Sequence, residues 1–102
     1  MPAPAPPELA ASAGAELFQA LAEPRRRLLL EALVSGVQEV GELSRRCDMP
    51  RTLVAHHLGV LRRAGLVRFQ RRHAVVRPEC LATLRRYFDL ALTAAAISTL
   101  PR

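Results

Sequence analysis

The sequence predicts a mainly α domain of about five helices with one short β-hairpin, and three observations carry that prediction. Apolar residues recur at helical spacing in separate stretches along the chain. Prolines and glycines punctuate those stretches where helices begin and end. Between Gly65 and Pro78 the pattern changes to two short runs of β-prone residues.

The opening MPAPAPPE is proline-rich and reads as an extended lead-in over residues 1–8, with the folded domain expected over 9–97 and a tail over 98–102. From Glu8 to Leu21, the residues Leu9, Ala10, Ala13, Leu17 and Leu21 repeat as one helical face. Pro24 suits the first turn of a second helix, because its missing N–H would have no partner there, and Gly36 is a natural stop. Glu39 to Cys47 makes a short third helix with Val40, Leu43 and Cys47 on one side. Asp48-Met49-Pro50 turns the chain into a fourth helix, closed by Gly65. LVRFQRRHAVVRP then reads as a hairpin turning at Arg71 and Arg72, although its turn has no glycine, asparagine or aspartate. A last helix starts near Pro78, where Leu81, Leu84, Tyr87, Phe88, Ala91, Leu92 and Ala95 share an apolar arc about 140° wide, opposed by Arg86, Asp89 and Thr93. A stripe of that length wants a partner.

The fourth helix carries the functional signal. At 100° per residue, Val54, His57, Leu58 and Leu61 fall on one arc, while Arg51, Thr52, Ala55, His56, Gly59, Arg62 and Arg63 fill an opposite arc about 140° wide. Small residues flanked by arginines and short hydrogen-bonding side chains let a helix backbone approach a DNA groove closely, leaving guanidiniums to reach base edges and phosphates.

The charge distribution agrees. The 102-residue chain has a formal charge of +6, and every basic residue apart from its histidines is arginine, a permanently charged fork-shaped donor. Residues 1–44 hold three arginines against six glutamates, whereas residues 45–102 hold twelve arginines against three acids, so the basic half contains the fourth helix. No run of 18 apolar residues occurs and no export signal opens the chain, so neither a membrane span nor secretion is expected and the location should be cytoplasmic. Cys47 and Cys80 give no disulfide framework.

Two segments resemble the ArsR/SmtB family of bacterial winged-helix repressors. ELFQALAEPRRRLLLEAL at 16–33 is similar to its helix, acidic-proline turn and arginine-rich second helix, through Phe18, Ala20, Leu21, Glu23, Pro24 and Arg26. VGEL at 40–43 with LVAHHLGVLRRAGLVR at 53–68 is similar to its helix-turn-helix. The resemblance implies a winged helix-turn-helix homodimer joined by the first and last helices. Leu9, Ala13 and Leu17 would meet Leu84, Phe88, Ala91, Leu92 and Ala95 there. It also implies a double-stranded operator read by the fourth helix in the major groove, a wing beside the backbone, and repression by occluding a promoter. The chain departs from the pattern in three places. Pro50, Arg51 and Thr52 stand where a serine cap and a Gln-Ser pair are common, the hairpin is shorter than the usual wing, and GVQEVGEL lacks the cysteine pair of many metal-sensing members.

Among the remaining candidates, His57 belongs to the core arc of its helix and His56 to the edge of the DNA-facing arc. Arg71 and Arg72 read either as a wing tip that grips phosphate or as a solvated turn. Both cysteines fall on apolar arcs, as free buried cysteines commonly do, the alternative being a redox-responsive thiol pair at a non-standard site. A divalent metal such as nickel or zinc would have to use an unfamiliar site near His73, Glu79 and Cys80. An enzyme is disfavoured, since the chain has no glycine-rich phosphate loop and neither cysteine has an obvious base. The competing reading is an adaptor acting through a protein co-regulator docked on the last helix.

Overall fold

The structure is a computed structural model that describes residues 12–101. In chain order it contains α1 (Ser12–Ala22), α2 (Pro24–Val34), α3 (Val40–Cys47), α4 (Arg51–Arg63), β1 (Val67–Gln70), β2 (His73–Val76) and α5 (Pro78–Ser98). Leu9 and the side chain of Ala13, both expected in the dimer interface, lie outside the described residues.

Local chemistry places the helix ends where the punctuation predicts. Pro24 occupies the first turn of α2 and the Glu23 carboxylate accepts from the Arg25 amide, satisfying a donor the helix itself leaves open. Gly36 takes φ 111, and the amides of Gly36 and Val37 donate to the carbonyls of Leu33 and Ala32. The same arrangement closes α4: Gly65 takes φ 89, its amide donates to Arg62, and that of Leu66 donates to Leu61. Between α3 and α4 the left-handed residue is Asp48, at φ 50, with the Met49 amide donating to the Ser44 carbonyl.

The end of α1 has no basic residue of its own. Arg26 donates from Nε to the Ala20 carbonyl at 2.6 Å and from Nη2 to Gln19 at 3.1 Å. Arg27 reaches Leu21 at 2.7 Å and Ala22 at 3.1 Å. The last four carbonyls of α1 are therefore covered by two guanidiniums of α2, which also oppose the negative helix end. Two of the three arginines that open α2 are thus structural.

The hairpin forms as expected, with Val67 paired to Val76, Arg68 to Val75, Phe69 to Ala74 and Gln70 to His73. Its two-residue turn is made by Arg71, at φ 59, followed by Arg72. A positive φ at the first turn residue matches the twist of the strands, and here arginine bears the strain usually avoided with glycine. The Ala74 amide also donates to the Gln38 carbonyl, and Glu39 bridges to His73, so the segment before α3 lies along the open edge of β2.

α2 lies at the centre, against α1, α3, α4 and β2. Leu29, Leu43, Val54, Leu58, Leu61, Leu66 and Val67 are the largest fully buried side chains. Each leucine contributes roughly 1.5–3 kcal/mol by leaving water. Leu17 and Leu84, expected at the dimer interface, are both buried in the core of the single chain, at 5% and 6% exposure. Beyond Tyr87, α5 leaves the core and every residue is exposed, which accounts for the elongated 55 × 25 × 19 Å shape.

His57 is the one buried polar side chain of the described core. Arg26 Nη1 lies 3.4 Å from its Nδ1, and because a guanidinium only donates, the proton belongs on Nε2, which is buried with no partner among the described residues. Burial, then Arg26, then His56, push its pKa below the ordinary 6.5, against an opposing pull from Glu23. A depressed pKa means that the unfolded chain takes up a proton before the folded one does. Stability is therefore complete above pH 6.5 and falls as pH drops toward the folded value. We expect the urea midpoint of the wild type to fall between about pH 7.5 and about pH 5.5 by more than that of His57→Gln. Equal falls would remove His57 as the cause.

Candidate nucleic-acid interface

Burial of Val54, His57, Leu58 and Leu61 turns the opposite side of α4 outward. Arg51, Thr52, Ala55, His56, Arg62 and Arg63 are exposed and Gly59 is half-buried, so the arc read from the sequence is a continuous surface. The wing stands beside it with Arg71 and Arg72 exposed at the tip. In this arrangement the helix can enter a groove while the wing meets the flanking backbone.

The arginines of that surface are directed differently. Arg51 lies back across the first turn of α3, beside the bare Cα of Gly41, and shares a cleft with Glu39, Val40, Gly41, Phe69, Arg71 and Arg72. Arg62 rests over Phe69 of the wing, its Cζ 5.6 Å from the ring centroid, as a cation over a π face does. Arg63 borders a second cleft on the far side of the helix, with Glu16, Gln19, Ala20, Arg26, Val60 and Ala64. Arg45 and Arg46, exposed in the last turn of α3, add positive charge and oppose that helix's negative end.

Sequence reasoning did not single out Gly41 or Phe69. By strand alternation Phe69 shares the side of Val67 and reads as core, yet it is 43% exposed, although its cross-strand partner Ala74 is buried. An aromatic in a run of arginines was the available signal.

The residues considered for a metal are engaged separately. His73 begins β2, Glu79 pairs with Arg77 at 2.9 Å, and the Cys80 thiol donates to the Gly65 carbonyl at 2.6 Å. Among the described residues no three His, Cys, Asp or Glu side chains are grouped to hold an ion. The backbone amide of Glu79 and the Arg77 guanidinium hold the Glu79 carboxyl low. Burial pushes both thiols up, against weaker opposition from Arg46 at Cys47 and Arg77 at Cys80. Raised thiols are poor nucleophiles and reluctant ligands. Among the described residues, no helix is long and apolar enough to cross a membrane.

Comparison with known proteins agrees with this geometry. The family model described as "Bacterial regulatory protein, arsR family" matches residues 23–68, from the cap of α2 into β1. The HTH-type transcriptional regulator CmtR of Mycobacterium tuberculosis is 43% identical over 60 residues, 59% of this chain and 51% of that protein, so the match spans about half the length of CmtR. The solution structure of the homodimeric winged helix-turn-helix DNA-binding domain of Mb0332, from Mycobacterium bovis, superposes with a TM-score of 0.63. It covers 99% of this chain and 94% of that one at 24% identity, a likeness of fold. The HTH-type transcriptional regulator Rv2034 of Mycobacterium tuberculosis is 40% identical over 87 residues, 78% of this chain and 81% of that protein. With a helix-turn-helix buttressed by α2, a two-stranded wing and a likeness extending over most of Rv2034, the chain belongs to the arsR family of bacterial regulatory proteins.

Proposed function

We propose that this protein is a homodimeric transcriptional repressor that binds double-stranded operator DNA and occludes a promoter. The observation that carries the reading is the outward arc of α4, continuous with the arginine tip of the wing and set in the basic half of the chain. Thr52, Ala55, His56, Gly59 and Arg63 face the major groove with Arg51 and Arg62 at its wing side, and Arg71 and Arg72 meet the phosphates. The second half of α5 supports the dimer. Phe88, Ala91, Leu92 and Ala95 are exposed on one side of it, and Phe88 belongs to an edge-to-face ring cluster with Phe18 and Tyr87. Burying that stripe against a second copy removes an apolar surface that a small core cannot cover. The homodimer named in the Mb0332 structure is in keeping with this assembly. A metal effector such as nickel or zinc would need donors beyond those that one chain gathers among its described residues.

Placing a charge in the stripe tests the dimer. Phe88→Glu is expected to convert the protein to a monomer by sedimentation while retaining its helical circular dichroism, and to weaken operator binding at least tenfold, since one half-site is lost. An unchanged mass would take the last helix out of the interface.

Selection from random DNA is expected to return a near-palindrome with half-sites about 34 Å apart. On that site Arg51→Ala should relax preference at one symmetric position, costing about 1–3 kcal/mol, whereas Arg72→Ala should weaken all sequences alike and lower the salt slope by about one. The reverse pattern would exchange the roles of helix and wing.

A further inference from the structure

Arg51 and Arg62 stand near the two ends of α4 on the wing-side edge of its outward arc, eleven positions apart or roughly 16 Å along the axis. Neither is held by a residue of its own helix. At Arg51 the restraint is a missing side chain. Gly41 is buried in the first turn of α3, and a Cβ built there would lie 2.9 Å from Arg51 Nη2 and 3.3 Å from Cζ. The guanidinium occupies the volume that any other residue would fill, with Glu39 Oε1 bordering the same space at 3.5 Å. At Arg62 the restraint is the ring of Phe69, half-exposed on the wing, over which the guanidinium lies at 5.6 Å. An exposed aromatic on a strand costs solubility and contributes little burial, yet here it offers a flat face to a planar cation. Such a contact removes rotamer freedom before DNA is met, so less is lost on binding.

We propose that Gly41 and Phe69 are positioning residues for DNA readout: α3 and the wing, which flank the recognition helix, set the directions in which Arg51 and Arg62 enter the groove. The proposal rests on the DNA-binding reading above and deepens it, because base preference then depends on two residues that touch no base.

The test uses the full-length protein, the operator recovered by selection, and single-base variants of that operator. Gly41→Ala replaces glycine by the best helix former, and the atoms it displaces are the free end of a flexible side chain. Thermal stability should therefore be unchanged or raised. The ratio of affinities for the operator and for the base variant that Arg51→Ala tolerates should nevertheless fall about tenfold. Phe69→Leu keeps apolar bulk without the π face and should lower the ratio at the Arg62 position about two- to fivefold, with Phe69→Tyr restoring it. A double-mutant cycle of Phe69→Leu with Arg62→Ala should be non-additive. A structural role alone predicts the opposite signature, in which stability and all affinities fall together and the ratios stay constant; that result overturns the proposal. It is equally overturned if Arg51→Ala and Arg62→Ala change the ratios while Gly41→Ala and Phe69→Leu do not, an outcome that leaves the DNA-binding reading standing. If the two arginine variants themselves leave every ratio unchanged, the assignment of readout to those arginines fails, and the positioning roles fail with it.

Discussion

The rotation of α4 about its own axis is the constraint on which the rest of the molecule depends. Val54, Leu58 and Leu61 are at 0% exposure, and Leu29, Leu43 and Leu66 meet them from α2, α3 and the start of the wing in one core. Turning the helix by even one position would bring a leucine toward water and an arginine toward the core, together costing a large share of a small domain's stability. Both ends are held as well, by the Pro50 carbonyl accepting from Leu53 and Val54 and by the double amide closure at Gly65 and Leu66. The outward arc is therefore carried on a backbone whose rotation and ends are fixed.

A net charge of +6 suggests a surface given over to anions, but the arginines divide into distinct physical roles. Arg26 and Arg27 close the carbonyl end of α1, and Arg26 reaches on to His57 beneath the recognition helix. Arg77 holds Glu79 in the first turn of α5, where a carboxylate also favours the positive end of the helix. Arg71 shapes the wing turn through its backbone while its side chain remains exposed. Arginine suits all these uses because its fork donates in several directions without giving up its charge. His57 on the buried face of α4 is the counterpart, a polar group whose pKa is pushed down by burial and by a guanidinium at its acceptor nitrogen.

α5 combines two environments in one helix. Leu84 is its single buried residue, and Cys80 and Leu81 are partly buried against the same core. From Phe88 onward the helix is exposed on all sides, including Leu90, Leu92 and Ile97. A helix of 21 residues is about 31 Å long, and the globular part of so short a chain covers about half of that length. The first half is thus a domain element and the second half a platform.

The sequence by itself determined most of the fold. Helical periodicity and the positions of Pro24, Gly36, Pro50, Gly65 and Pro78 located every described helix, because those residues act through their own backbone conformations and need no distant partner. The outward arc of α4 was legible for the same reason, as burial of one face of a regular helix dictates the other. The arginine turn of the hairpin could be placed only as the gap between two strand-like runs, since arginine carries no turn chemistry of its own. Tertiary structure decided what depended on residues distant in sequence. Leu17 and Leu84 are buried in the chain's own core, a position that periodicity cannot distinguish from a surface awaiting a second copy. The cap on α1, the ring beneath Arg62 and the glycine beneath Arg51 likewise join separate elements. Spacing along one helix specifies which face a side chain is on, whereas its direction is set by what the fold packs beside it.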